Sequence, residues 1–418
     1  MTIAPAAPAP ASQTDAGHAH WLHVARELAD DLATDAVERE RAGKPPLDEV
    51  ERLREAGLLT LLAATAHGGG GADWRTAYAV VRTISAADAA IGELLGVHYF
   101  LSSGARFFAG PARAERVERE SAAGRWCWSG GIASDQPSLM LNPGANGHLL
   151  DGRLSCAVGA GVADRLLVRA SRTDTGEPLA VVVDPSHPGV VRGTGGETFG
   201  QRPAAGGSVA FDSVPVTADD VFGSLSADDG VLSPFAGLAA PTARLVSAQV
   251  CLGAAEGLLA EARELSRPAT ASGQPSDPLH WPVLSGAPHW PVSPAQDPYV
   301  LGAYGELAVT ARSAAALADQ AVDALMRGLA RGEELDDDEG AEITVLAGAA
   351  EAAASRAAQE ITTRALDVIG ARAASTRYGL DRFWRNARTH TLRTPVSSRL
   401  REAGDYHLNG THPPFTLP

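Results

Sequence analysis

Two of the twelve histidines stand in settings that mark them for chemistry. His98 closes the apolar run Leu94-Leu95-Gly96-Val97, and His390 lies between Thr389 and Thr391 with Arg393 three residues on. Histidine titrates near neutrality, so each is a candidate to hold or pass a proton. The plain alternative for His98 is a buried structural ring with a backbone partner. Arg393 is a permanent cation and donor that cannot act as a base, so it suits an anion or an acidic substrate. Arg382, Arg385 and Arg388 recur at helical spacing among Phe383, Trp384 and Asn386, which fits salt bridging and subunit contact. Tyr99, Trp126 and Trp128 suit an aromatic substrate pocket or a plain core equally well.

Three kinds of segment must position these groups. Up to about residue 125 the apolar steps are helical, as in Trp21, Val24, Leu28, Leu32 and Ala36. Further helices are expected over Leu47–Ala56, Trp74–Leu95 and His98–Ala123, the last broken near Gly110 and Pro111. From Trp126 short alternating runs take over, at Leu149–Ala157, Arg165–Ala170, Leu179–Val183, Val190–Val191 and Ser208–Phe211. Turn residues such as Asn146-Gly147 separate them, which reads as a β-barrel or sandwich. After Pro234 long helices return over Phe235–Ser266, Tyr299–Ala330 and Asp337–Ile369, with a stop at Gly370. The expected division is a flexible tail over 1–16, a helical domain over 17–125, a β-barrel domain over 126–230, a four-helix bundle over 231–402 and a tail over 403–418. The fold class is α+β. A Pro-rich loop at about 267–298 carries His280-Trp281-Pro282-Val283 and His289-Trp290-Pro291-Val292. Trp281 and Trp290 make it a candidate substrate lid or a surface excursion packed on its own aromatics.

Bulk properties narrow the function classes. The chain has 418 residues and a net charge of −15, which argues against general binding to nucleic acid or to an anionic membrane. Lys44 is the sole lysine, so any anion site must use arginine, amides or hydroxyls. Cys127, Cys156 and Cys251 show neither disulfide nor zinc spacing, so no metal is expected and a reducing cytoplasm fits. No transmembrane helix or signal peptide is expected.

Helix, barrel, bundle is the domain order of the acyl-CoA dehydrogenases, and four stretches resemble that family. They are Leu53-Arg54-Glu55-Ala56-Gly57-Leu58 with the Gly68–Gly71 turn; Gly200-Gln201-Arg202 with Gly207-Ser208-Val209 and Phe211; Asp297-Pro298-Tyr299 with Tyr304-Gly305-Glu306; and Ile369-Gly370-Ala371-Arg372 continuing through Arg377-Tyr378-Gly379-Leu380 to His390. The last resembles the flavin-dependent monooxygenase branch, which holds dibenzothiophene and sulfone monooxygenases and amino-sugar N-hydroxylases. A dehydrogenase needs a carboxylate base, and its usual place is occupied here by Thr389-His390-Thr391-Leu392. The Arg-x-Gln-Phe-Gly segment that meets FAD is also absent at Arg267-Pro268-Ala269-Thr270.

The resemblance therefore implies reduced FMN more than FAD, supplied by a separate flavin reductase, with O2 as co-substrate and a small organic substrate oxygenated at S, N or C. It implies a homotetramer. It places His98 and His390 at the reacting oxygen, Arg372 on the flavin phosphate, Ser129 and Ser208 on the flavin, and Phe199 over its ring. Three positions depart from the pattern. Val158 stands where relatives carry a hydroxyl donor, Arg393 replaces a histidine, and Gly302 replaces a flavin-binding arginine. Losing one phosphate donor costs about 1.5–3 kcal/mol. Two rival readings remain: an acyl-CoA dehydrogenase with bound FAD and a relocated base, and a flavin-free descendant that binds a ligand or runs non-redox chemistry.

Overall fold

The computed structural model describes residues 13–134, 139–193, 198–204, 206–226, 232–267, 296–393 and 395–417. Trp281 and Trp290 lie outside the described residues, as does nearly all of the loop that bears them. Six helices come first: α1 (Gln13–Ala42), α2 (Leu47–Glu55), α3 (Trp74–Ala87), α4 (Ala89–Ser102), α5 (Gly104–Phe108) and α6 (Pro111–Gly124). The sequence pattern runs α3 into α4 and breaks near Val97. The break actually falls at Asp88, whose extended backbone ends α3 while its side chain accepts from the amides of Ala90 and Ile91. The buried Arg39 guanidinium donates to the same carboxylate at 2.8 Å, so α1 fixes the corner from which α4 starts.

Eight strands follow: β1 (Trp128–Gly131), β2 (Leu139–Gly144), β3 (Gly147–Ala157), β4 (Arg165–Arg172), β5 (Pro178–Val183), β6 (Val190–Arg192), β7 (Gly207–Val216) and β8 (Val221–Ser224). They form one mixed sheet in the order β6-β7-β3-β2-β4-β5-β8, with β1 added in parallel on β4. Gly147, at φ +136°, makes the tight turn of the β2–β3 hairpin that Asn146-Gly147 announces. The sheet has its own apolar core, including Leu141, Leu150, Val168, Val181 and Val209.

The bundle holds α7 (Pro234–Gly237), α8 (Ala239–Ser266), α9 (Pro298–Arg331), α10 (Asp337–Ile369), α11 (Asp381–Arg393) and α12 (Val396–Asn409). The boundary expected at residue 402 falls inside α12, and residues 410–417 then return to the sheet. There Leu417 O accepts from Ser134 N–H at 3.0 Å. The helical ends of the chain are not separate cores. Ala25, Leu53, Tyr78 and Leu95 share one cluster with Leu245, Leu325 and Ile361. The stretch Pro234–Ser266 is long and apolar enough to cross a membrane, with mean hydropathy 1.3, but 72% of its apolar window is buried inside the fold. Its apolarity is that of the central bundle helix, packed on every side.

Helix α8 reaches α3 through glycines. A Cβ on Gly257 would lie 2.0 Å from Ala86 O, and one on Gly253 would lie 2.5 Å from Arg82 O. Alanine normally improves a helix interior by about 0.5–1 kcal/mol. Here the overlap with a main-chain oxygen reverses the sign. Gly257→Ala is expected to lower stability by about 1–3 kcal/mol. Thermal denaturation of the purified variant checks this, and a melting temperature at or above that of the wild type would refute the close approach.

Candidate active site

Between the sheet and the bundle lies a cleft of about 590 Å³, within the usual range for small-molecule sites. Helix α4 forms one wall with Glu93, Val97, Phe100 and Leu101. Residues 130–134 form the edge that leaves β1, and α8, α11, α12 and the C-terminal segment complete the enclosure. Gly130 is required where it stands, because its φ is +130° and a Cβ would meet Leu167 O at 2.1 Å.

The centre of the site is a carboxylate between two cations. Glu93 is 4% exposed, and its Oε1 accepts from Arg393 Nη1. The same oxygen lies 3.3 Å from His390 Nδ1, an ion-pair contact whose alignment falls short of a hydrogen bond. Burial alone would raise the Glu93 pKa, but Arg393 and His390 together hold it below the ordinary 4.5. Burial likewise opposes charge on His390. The Glu93 carboxylate and the neighbouring Cys251 outweigh it and push its pKa up to about 10. His390 is therefore a protonated donor at neutral pH, and Glu93 is a weak base already committed to two partners.

A second ionic group lies beneath the cleft. Arg399 donates to Glu351 at 2.8 Å and to Glu402 at 2.9 Å. Fully buried Arg244 meets Glu402 at 3.0 Å and donates to Thr416 Oγ1 at 3.1 Å. These contacts tie α8, α10, α12 and the C-terminal segment into one floor.

Of the residues expected at the site, the structure brings His390, Arg393 and Val158 to the cleft lining. Ser129 is fully buried just behind it and donates to Val158 O, so its hydroxyl is committed to the wall. His98 does not border the cleft. Its ring is fully buried, with Nε2 2.8 Å from Leu59 O and Nδ1 accepting from Trp128 N–H at 3.0 Å. Burial pushes its pKa down to about 4, so it stays neutral and has no nitrogen left for a ligand. This placement fits the structural reading of His98, whose contact with the site is through the β1 backbone.

The aromatic pocket is corrected too. Tyr99 lines a separate small cavity of about 30 Å³, room for about one water, beside Ser103 and Ser121. The Arg165 guanidinium stacks 3.9 Å over the half-buried Trp126, which is held outside the cleft. Phe199 lies at the surface, its ring 6.1 Å from Trp384. Ser208 accepts from Arg153 at 2.7 Å on the outer sheet. Arg372 follows the end of α10 at Ile369, which itself lies 18 residues beyond Glu351 at the cleft floor; at 1.5 Å per residue that end is about 27 Å along the axis. Gly302 faces solvent on α9. Arg382, Arg385 and Arg388 do bridge structure: to Glu261, to Glu40 and Phe199 O, and to Gln359.

Sequence reasoning missed Glu93, Arg244, Arg399 and Arg401. A signal for the first was present: Glu93 is the one ionisable residue in Ala89–Val97, and an acid in an otherwise apolar helix must find a partner.

The helical ends, the mixed sheet and a cleft with no free carboxylate base among the described residues define an acyl-CoA dehydrogenase fold adapted to other chemistry. Residues 16–112 match the acyl-CoA dehydrogenase N-terminal domain, and residues 291–395 match its C-terminal domain. Dibenzothiophene monooxygenase of Rhodococcus erythropolis is 34% identical, covering 96% of this chain and 95% of its own. The probable FMNH2-dependent monooxygenase SfnC of Pseudomonas putida is 34% identical over 94% of this chain and 95% of its own. The FMN-bound structure of TdsC from Paenibacillus sp. A11-2 superposes with a TM-score of 0.86 at 31% identity, covering 95% of this chain and 99% of that one. The chain belongs to the flavin-dependent monooxygenase branch of the acyl-CoA dehydrogenase family.

The Glu93–His390 pair fixes a pH signature. Glu93 is depressed, so its contribution to stability holds above pH 4.5 and is lost as the pH falls below that. His390 is raised, so its contribution is full below pH 6.5 and is lost as the pH rises toward about 10. Glu93→Gln should destabilise by about 3 kcal/mol, at the low end for an unpaired buried charge because His390 can shed its proton. The gap to wild type should be widest between pH 4.5 and 6.5 and narrow toward pH 10. Denaturant melts across pH measure it, and a gap independent of pH would show that the pair is not ionised.

Proposed function

We propose that the protein is a two-component monooxygenase that takes reduced FMN from a separate flavin reductase and uses O2 to oxygenate a small organic substrate. The carrying observation is that His390 lines the cleft with its Nδ1 3.3 Å from the buried Glu93 carboxylate, in the stretch where the family resemblance expects the dehydrogenase base. A protonated imidazole donates hydrogen bonds but cannot abstract the proton that a desaturation requires. Glu93 does not replace the missing base, because its two cationic partners lower its basicity. This disfavours a dehydrogenase with a relocated carboxylate.

The residues present fit the cofactor. The cleft has apolar walls at Phe100, Val158 and Val246 for a flat ring, and a polar edge at His390 and Arg393. Reduced FMN supplies the two electrons that activate O2, of which one atom enters substrate and the other leaves as water. The chain provides the surroundings. In this reading Arg393 would present donors toward the reacting oxygen, and His390, engaged by Glu93 and Cys251, would set its positive charge beside it. Val158 and Val246 would exclude water, and Glu93 would hold both cations in place. Ser129 and His98 act from behind, one on the Val158 carbonyl and the other on the β1 backbone.

Arg372, Ser208 and Phe199 retain cofactor roles in this reading only at the rim or across a subunit boundary. Arg372 would reach the flavin phosphate of a second copy, in keeping with a homotetramer. Exposed Tyr299, Leu301 and Val309 on α9 support such packing. A cytoplasmic location is part of the same reading, since reduced flavin and its reductase operate there.

Purified protein should bind FMN and consume oxygen only when a flavin reductase is supplied. His390→Ala should lower product formation about 100-fold while FMN affinity changes only a few-fold. Flavin titration and product assays against oxygen uptake decide this. Absence of FMN binding in either redox state, or normal turnover of the variant, would overturn the proposal.

A further inference from the structure

The charges of the cleft do not cancel. Glu402 gives one oxygen to Arg399 and the other to Arg244. Glu351 is paired with Arg399. Glu93 uses one oxygen for both Arg393 and His390. Every wall carboxylate among the described residues is thus committed, and cationic capacity is left over. The Arg393 side chain is 33% exposed and bonds Glu93 through Nη1 alone, so the rest of its donor fork is open to the cleft. Arg401, one turn beyond Ser398 on α12, also lines the cleft and has no acidic partner among the described residues. On a chain whose net charge is −15, this is a local reversal of sign. Opposite these arginines the wall is apolar, at Val97, Phe100, Leu101, Ile132 and Val246.

We infer that the cleft selects a compact organic anion, its apolar body against α4 and α8 and its carboxylate-sized oxyanion head on the guanidiniums of Arg393 and Arg401. Its standing as the oxygenated substrate rests on the monooxygenase reading above. Arginine is the apt residue here because its fork matches an oxyanion with two parallel hydrogen bonds. Committed neighbours matter as much: with Glu93 and Glu402 both engaged, no free carboxylate among the described residues lines the cleft.

The rival use of these cations is to hold the flavin phosphate, and one experiment separates the two. Phenylacetate and its uncharged counterpart phenylacetamide are titrated calorimetrically into apoprotein and FMN-loaded protein, in wild type and in Arg401→Gln and Arg393→Gln. The inference expects phenylacetate to bind about tenfold or more tighter than the amide in wild type. Added salt should narrow that preference. Arg401→Gln should erase most of it while leaving FMN affinity unchanged, and Arg393→Gln should do the same to the preference. Equal binding of acid and amide in wild type overturns the inference. So does an Arg401→Gln variant that loses FMN affinity and keeps the preference. The two readings fail separately. Anion preference in a protein that binds no FMN removes the monooxygenase reading and keeps the anion site. FMN binding with reductase-coupled oxygen uptake but no preference removes the anion site alone.

Discussion

Glu93 sits in a helix with almost no polar face. Twelve of the fourteen residues of α4 are buried, and the helix runs between the sheet and α8. A carboxylate there is stable only if cations come to it, because its desolvation is otherwise too costly. Arg393 and His390 meet that demand from α11, and in doing so they fix how α11 lies against α4. The cleft is the space left beside this contact. Its shape, the placement of its donors and the charge on His390 depend on one buried negative charge.

His98 shows the other side of the same helix. It lies five residues after Glu93, so the two side chains project about 140° apart on the helical wheel. Glu93 turns to the cleft and stays charged, whereas His98 turns to the 58–60 turn and β1 and stays neutral. The neutral ring donates from Nε2 to Leu59 O and accepts at Nδ1 from Trp128 N–H, which fixes its tautomer. One helix therefore sets the bundle wall by charge and the sheet wall by hydrogen bonds. The edge of β1 carrying Gly130 and Gly131 is held to the protein from behind, which leaves its front face to the cleft.

Much of the fold was legible in the sequence because it rests on local pattern. The expected span of α10 matches the structure at both ends, and α9 differs by one residue at each. Asn146-Gly147 marked its hairpin correctly. Strand β1 escaped notice because Trp128-Ser129-Gly130-Gly131 has no alternation and pairs in parallel with distant β4. The break at Asp88 was hidden because apolar periodicity continues across it, and a long-range bond from Arg39 decides it. Site residues were less legible. His390 and Arg393 could be marked by type and neighbourhood. The fates of Tyr99 and Trp126 could not, since an aromatic carries no sign of whether it will meet a cavity, a guanidinium or a ligand. Glu93 was overlooked for the converse reason: its significance lies in partners about 300 residues away.

The departures from the family pattern become intelligible once these partners are known. Taken alone, Arg393 in place of a histidine looks like a lost titratable group, and Val158 looks like a lost donor. In the fold they belong to one arrangement. A permanent cation at 393 stabilises Glu93 in its charged form whatever the state of His390, and charged Glu93 in turn keeps His390 protonated. With donors supplied from α11, the facing wall is free to be apolar at Val158, and Ser129 turns its hydroxyl inward to that wall's carbonyl. The site thus gathers its polarity on the bundle side and its dryness on the sheet side. That division would suit a flat ring bound between them, with Arg393 and His390 of α11 beside it.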